Sequence, residues 1–177
     1  MLLLLWLPPL QGAQIESLEL EETAGGYRVE LVALLERPRE LVMRLITDYR
    51  LLSRINPYVV ESRTLPGARP PAQRVALVSE GCLLFFCRRV RHVQDFTRRG
   101  WVLDALMVPA QSDFRSGLLR WTLQAPDPRH TRIRMVAQVE PDFWLPPLIG
   151  PAILRHALRR MALGSLEGLE RISGAVR

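Results

Sequence analysis

The residues of this chain that could do chemistry are few and widely spaced. The histidines are His92, His130 and His156, and the cysteines are Cys82 and Cys87. A catalytic site needs titratable groups held together, such as paired carboxylates or a nucleophile beside a base. We find no nucleophile motif, phosphate loop or metal-ligand spacing, and we interpret each histidine as a surface residue. The sequence therefore favours a binding protein over an enzyme, and it predicts no metal and no cofactor.

Isolated carboxylates add little to this chemistry. Asp48 follows Thr47 at the end of a helical pattern and is interpreted as a surface or capping charge. Asp104 lies between Leu103 and Ala105 in a strand-like run, so it should face solvent on the side opposite Leu103.

The two cysteines are five residues apart in "GCLLFFCRR". Within one extended strand their Cα atoms would be ~16 Å apart, too far for a disulfide. A tight hairpin with its tip at residues 83–86 would bring them together. The alternative is a pair of small buried thiols. We predict the disulfide Cys82–Cys87 if the protein is exported.

Length and composition indicate a single globular domain. The chain has 177 residues, of which 48% are apolar, enough for one sizeable core. Residues 1–14, "MLLLLWLPPLQGAQ", form an apolar segment typical of a signal peptide, which leaves 15–177 as the domain. The segment predicts export to a bacterial periplasm, with a cytoplasmic location as the alternative.

The net charge of +6 comes from arginine alone, because the chain has no lysine. The run "RRVRHVQDFTRR" (88–99) alternates along a predicted strand and lacks the stacking aromatics of a single-strand nucleic-acid binder. We therefore predict no nucleic-acid partner. The run is interpreted as a solvated sheet face, and attraction to an anionic membrane is the alternative.

Hydrophobic periodicity places these residues on a simple series of elements. Residues 27–36 alternate as a strand with one buried face, and 38–55 follow the spacing of a helix, in one piece or in two. Six further strands bounded by turn residues are predicted at 58–65, 73–81, 85–96, 101–108, 115–123 and 131–140. Short connections between strands favour an antiparallel sheet.

The C-terminal segment returns to a helical period. From Pro151 an apolar stripe recurs every three or four residues and includes the small residues Ser165 and Gly168. Such a helix laid on a curved seven-stranded sheet leaves space that small side chains cannot fill. The predicted fold is α+β, with an internal hydrophobic cavity between the sheet and the long helix.

At this point the chain resembles the START-like (SRPBCC) superfamily, which includes polyketide cyclases, coenzyme Q-binding proteins and lipid-transfer domains. The resemblance rests on the element order and on two segments, "DYRLLSRINPYVVESRTL" (48–65) and "TRIRMVAQVEPDFWLPPLIGPAILRHAL" (131–158). It implies the helix-grip fold of that superfamily and a hydrophobic ligand. It implies no particular reaction, because the superfamily has no universal catalytic signature.

The predicted ligand-binding residues follow from this arrangement. Trp and Met side chains suit a flexible apolar ligand, and the helix-to-strand corner could orient a head group. The predicted set is Asn56, Tyr58, Trp101, Trp121, Met135, Leu158, Met161 and Ser165. For the apolar members of the set, a purely structural role in the core is the competing interpretation.

The segment "DFWLPPLIGP" (142–151) is predicted to form the rim of the cavity. Phe143, Trp144 and Leu145 would close the opening or enter a membrane interface, where Trp is favoured. The alternative is that they cap the end of the core.

Three functions are compatible with these patterns. The leading one is binding or transport of a hydrophobic small molecule, such as a lipid or a quinone. The others are a polyketide cyclase or dehydratase acting in the same cavity, and a module that docks on a membrane protein. Transient membrane contact is expected in the first case, and the sequence sets no oligomeric state.

Overall fold

The computed structural model describes residues 13–83, 86–144 and 150–175. The helices are α1 (Arg39–Thr47), α2 (Leu52–Ile55) and α3 (Gly150–Ala175), with a 3₁₀ turn at Tyr49–Leu51 between the first two. The strands are β1 (Gln14–Glu22), β2 (Tyr27–Leu35), β3 (Val59–Leu65), β4 (Gln73–Leu83), β5 (Phe86–Arg99), β6 (Val102–Met107), β7 (Phe114–Asp127) and β8 (His130–Pro141). The α+β helix-grip fold is confirmed. The described residues form eight strands rather than the seven predicted, because β1 was not recognised.

All strands belong to one antiparallel sheet with the order β1-β2-β8-β7-β6-β5-β4-β3. Strands β3 to β8 follow one another as a meander. Strand β2 pairs with β8, and in this pair Val29 lies opposite Ala137. The sheet therefore joins the two ends of the domain.

The concave face of the sheet carries the core. Every second residue of β2 is buried, from Tyr27 to Leu35, while the residues between them are partly exposed. Leu35, Ile133 and Val42 of α1 are fully buried at one end of the sheet, where α1 and α3 cover it. That end is filled by side chains, and it forms the floor of the space described below.

Helix α3 lies unusually close to α2. A Cβ atom added at Gly168 would be 1.6 Å from the backbone oxygen of Ile55. Glycine at this position therefore allows the two backbones to approach, instead of leaving empty space as the sequence suggested. At Gly168 the stripe of small residues therefore packs against α2 and does not border the cavity.

The outer face of the sheet carries ion pairs. The Asp104 carboxylate accepts hydrogen bonds from Nε and Nη2 of Arg120 at 2.6 and 3.2 Å. Asp104 does lie on the face opposite Leu103, but only 6% of it is exposed because Arg120 covers it. The expectation of a solvent-facing carboxylate was wrong in this respect.

Candidate functional site

A cavity of about 650 Å³ lies between the concave face of the sheet and helix α3. Its walls are largely apolar side chains from five strands: Val29, Leu77, Leu103, Leu119, Trp121, Met135, Ala137 and Val139. Since the floor is filled by the core, the space opens at the other end of the sheet. The volume is within the range of about 300 to 1,000 Å³ that is usual for small-molecule sites.

Strand β5 crosses the cavity from its mouth to its floor. Because side chains alternate along a strand, Arg88, Val90, His92, Gln94 and Phe96 all face inward and line the space. Phe96 is buried at the floor against Tyr49, with ring centroids 4.7 Å apart. Arg88 is exposed at the other end. The strand thus runs from a charged rim through a polar middle to an apolar end.

His92 is a buried cavity residue, not the surface residue expected from the sequence. Only 9% of it is exposed, and its Nε2 lies 2.9 Å from Oγ of Ser79 on β4. Burial lowers the pKa of His92 to about 4, although the negative charge of Asp113 acts in the opposite direction. The imidazole is therefore neutral at neutral pH. The neighbouring Arg89 and Arg91, which point to the other face, gave the run the composition of a surface strand and concealed its position.

Gln94 is a site residue that the sequence analysis missed. It lines the cavity and is 6% exposed. Among the described residues, no hydrogen bond is made by its side-chain amide, although that amide carries two donors and one acceptor. Gln94 shares the period-two alternation of Val90 and Phe96, and this pattern could have predicted that its side chain faces the cavity.

Asn56 and Tyr58 lie at the corner between α2 and β3, as predicted, and both line the cavity. The Asn56 side-chain nitrogen donates to Oγ of Ser165 at 2.9 Å and to the carbonyl of Met161 at 3.3 Å, and its oxygen accepts from the Tyr58 N–H. Nε of Arg160 donates to the Tyr58 hydroxyl at 2.8 Å. Asn56 thus joins α3 to the corner through its side-chain amide, and its role in orienting a ligand stays a prediction.

The structure brings most of the other predicted ligand-binding residues together. Trp121, Met135, Leu158, Met161 and Ser165 all line the cavity. Trp101 does not: it lies at the turn between β5 and β6, and the Arg39 guanidinium is 3.8 Å from the centroid of its ring. Trp101 packs against the core instead, as in the competing interpretation from the sequence.

An aromatic series leads from the middle of the cavity to its mouth. His92 packs edge-on against Phe114 with centroids 6.1 Å apart, and Phe114 packs similarly on Phe143 at 5.7 Å. The Arg88 guanidinium lies 4.3 Å from the Phe143 centroid. Trp144, the next residue, is 70% exposed. Leu145 lies outside the described residues, so the rim prediction can be followed only to Trp144.

The hairpin between β4 and β5 carries the cysteines beside this mouth. Cys87 is disulfide-bonded. Its register partner across the hairpin is Cys82, the only other cysteine of the chain. The side chain of Cys82 lies outside the described part, so the bond between these two residues stays a prediction.

Charged groups lie at the mouth and not deep in the space. Glu80 is the one acidic residue among the described residues that line the cavity, and it accepts from Arg89 at 2.5 Å. The basic lining residues besides His92 are Arg88, His156 and Arg160. No group of three metal-binding side chains is found within the described ranges, and no described helix is both long and apolar enough to cross a membrane. The arrangement is suited to holding an apolar molecule with few directional contacts.

A concave antiparallel sheet closed by one long helix over an apolar cavity defines a helix-grip binding fold. The chain belongs to the polyketide cyclase/dehydrase and lipid transport family, whose model matches residues 35–163, more than half of the sequence. The resemblance to the START-like superfamily is thereby confirmed. A search of curated proteins finds no match.

Solved structures share the fold at low sequence identity. The Zhui aromatase/cyclase from Streptomyces sp. R1128 superposes with a TM-score of 0.69 at 14% identity, covering 90% of this chain and 97% of that one. TTHA0849 from Thermus thermophilus gives 0.66 at 18% identity, with 84% and 98% covered. A STAR-related lipid transfer protein from Xanthomonas axonopodis gives 0.61 at 15% identity, with 89% and 97% covered. These similarities establish the fold.

Proposed function

We propose that this protein binds and carries a hydrophobic small molecule, such as a lipid or a quinone-like compound, without transforming it. The observation that supports this proposal is the cavity of about 650 Å³, which is apolar over most of its wall and carries charge only near its mouth. Apolar ligands gain free energy from such a space by leaving water, roughly in proportion to the apolar area that they bury.

A cyclase or dehydratase is the second candidate function. The Ser79–His92 pair favours it, because a hydroxyl 2.9 Å from an imidazole could serve as a nucleophile or a proton donor beside a base. A general base works best with a pKa near the operating pH. Burial holds the pKa of His92 at about 4, which makes it a weak base, so binding is the better supported function.

Export and membrane contact belong to the same proposal. The signal-like residues 1–14 and the disulfide-bonded Cys87 are features typical of a bacterial envelope protein. Trp144, exposed beside the cavity mouth, is a residue type favoured at membrane interfaces. A carrier that loads from a bilayer would use such a residue during transient contact.

The proposed function is tested by ligand extraction and by blocking the cavity. Lipid extracts of the purified protein would be analysed by mass spectrometry, and binding of the neutral fluorescent probe N-phenylnaphthylamine would be titrated. Ala157 faces the cavity from α3, whereas Ala152 of the same helix is exposed and does not line it. Ala157→Phe should lower probe affinity about tenfold, and Ala152→Phe should leave it unchanged. Equal probe binding by both folded variants would contradict a ligand in this cavity.

A further inference from the structure

The middle of the cavity wall contains polar groups that the proposed carrier function does not explain. Gln94, His92 and Ser79 line the same space and are each more than nine-tenths buried. His92 and Gln94 are two positions apart on β5, so their Cα atoms are about 7 Å apart. Ser79, on β4, bonds to His92 across the strands. This trio forms one polar patch in an apolar wall.

Gln94 is the member with unused hydrogen-bonding capacity. Its register partners are Val75 on β4 and Met107 on β6, and neither offers a side-chain group that could hydrogen-bond strongly to an amide. No other described residue bonds to its amide. A buried amide costs free energy when it is removed from water without a new partner. Gln94 therefore presents two N–H donors and one carbonyl acceptor to whatever occupies the cavity.

The patch lacks charge. Burial lowers the pKa of His92 to about 4, so the imidazole is neutral at neutral pH. Of the two arginines on the same face of β5, Arg98 does not line the cavity, and the Cα of Arg88 lies about 20 Å further along the strand, at the mouth. A carboxylate or phosphate would be stabilised near Arg88 and Arg160, and not beside Gln94.

We propose that Gln94, flanked by the Ser79–His92 pair, is a recognition site for a neutral carbonyl or hydroxyl oxygen on an otherwise apolar ligand. The inference rests on the proposed function and specifies its ligand class. A carbonyl oxygen accepts from the Gln94 amide, and a hydroxyl can also donate to its oxygen. A pure hydrocarbon in the same place removes water from the amide and returns no hydrogen bond. The site therefore selects oxygenated ligands over hydrocarbons of equal shape.

Two probes with the same ring skeleton test this selectivity. Fluorene is a hydrocarbon and fluorenone carries one carbonyl group, and each would compete with N-phenylnaphthylamine for the cavity. The measured quantity is the ratio of fluorenone to fluorene affinity. In Gln94→Met, which keeps the length of the side chain and removes its hydrogen-bonding groups, the ratio should fall about tenfold relative to the wild type.

Two further variants make the result specific. Gln94→Leu repeats the test if Gln94→Met does not fold, as judged by circular dichroism and melting. Met107→Leu changes the shape of the wall beside Gln94 without removing a polar amide, so it should alter the affinities of both probes alike and preserve their ratio. Fluorene carboxylate, which carries a charge, should show an affinity that is insensitive to Gln94→Met.

The outcomes separate this inference from the proposed function. If both neutral probes bind and their ratio is the same in the wild type and the Gln94 variants, the inference is overturned while the carrier function stands. If Gln94→Met lowers the affinity for fluorene carboxylate, the proposed preference of the site for neutral ligands is wrong. If N-phenylnaphthylamine, fluorene and fluorenone all fail to bind the folded wild type, the carrier function fails and the inference fails with it.

Discussion

Oγ of Ser79 lies 2.9 Å from Nε2 of His92, so two adjacent strands share a hydrogen bond inside a largely apolar cavity. Both residues of the pair are buried. A protonated imidazole in this position would lose its hydration without gaining a carboxylate partner, which is why the pKa of His92 is held low.

The pH dependence of stability should report this burial. The ordinary pKa of 6.5 applies to His92 in the unfolded chain, and burial lowers it to about 4 in the fold. Between these values the unfolded state binds more protons, so the free energy of unfolding falls as the pH falls. From about pH 7 to about pH 5 the loss should be about 2 kcal/mol, measured by urea unfolding.

Comparison with His92→Gln isolates this contribution, because Gln can bond to Ser79 but does not titrate. The other titratable residues lining the cavity, Tyr58, Glu80, Arg88, His156 and Arg160, and the nearby Asp113 remain in both proteins. His156→Gln, which removes an exposed imidazole, serves as the control and should follow the wild type. The prediction would be contradicted if the free energy of unfolding of His92→Gln fell with pH as steeply as that of the wild type.

The approach of α3 to α2 should make residue 168 intolerant of any side chain. In Gly168→Ala the new Cβ meets the Ile55 carbonyl oxygen at 1.6 Å unless the helices move. We expect a loss of about 1 to 3 kcal/mol in the free energy of unfolding, as for other overpacked interiors. Gly174→Ala, in the same helix, meets only the flexible end of Arg37 and should be neutral or slightly stabilising. Equal effects of the two substitutions on urea unfolding would argue against the close contact.

The predicted disulfide between Cys82 and Cys87 should be visible by thiol counting. Protein purified from an oxidising compartment and unfolded without reductant should show no reactive thiol. Because the closed loop is short, reduction should lower the free energy of unfolding by only about 2 kcal/mol. A Cys82→Ser/Cys87→Ser variant should be insensitive to reductant. Two reactive thiols in the unfolded wild type would refute the pairing.

Trp144 should affect membrane association without affecting the fold. It is 70% exposed at the mouth, and a large apolar side chain that enters a bilayer interface gains about 1.5 to 3 kcal/mol. Trp144→Ser should therefore lower flotation with phosphatidylcholine and phosphatidylglycerol vesicles about tenfold or more, at an unchanged melting temperature.

The exposed residue Ile15 offers a matched control for this experiment. Its strand partner is Ala33, near the floor end of the sheet, away from the cavity mouth. Ile15→Ser should leave vesicle flotation unchanged. If Trp144→Ser instead lowers the melting temperature and changes flotation only through unfolding, Trp144 is a cap on the core and the membrane contact is excluded.

Much of the fold could be predicted from the sequence because its elements have clear periods. The buried face of β2 alternates without interruption, and α3 begins one residue before the predicted Pro151. Strand β1 was missed because it is an edge strand in which every residue is exposed or only partly buried. Solvent on both faces weakens the alternation on which such a prediction depends.

The polar part of the site was harder to predict. The run around His92 is dominated by arginines that face solvent, so its composition suggested a surface strand, while His92 and Gln94 in fact face inward. Gly168 is the opposite case, a residue assigned to the cavity that lies in a packed contact. A small residue in a helical stripe is compatible with a cavity or with a close backbone contact, and only the position of α2 distinguishes these cases.

The pairing of β2 with β8 has a consequence for how the chain reaches this fold. Strands β3 to β8 can form by successive local hairpins, whereas Val29 has to find Ala137, more than a hundred residues later in the chain. Such distant pairing slows folding, because the entropy of closing the long loop is lost before the contact stabilises it. During synthesis the apolar face of β2 emerges early and waits for its partner until β8 is complete. An N-terminal fragment that ends before β8 would expose that face, and it should aggregate or bind chaperones more readily than the full chain.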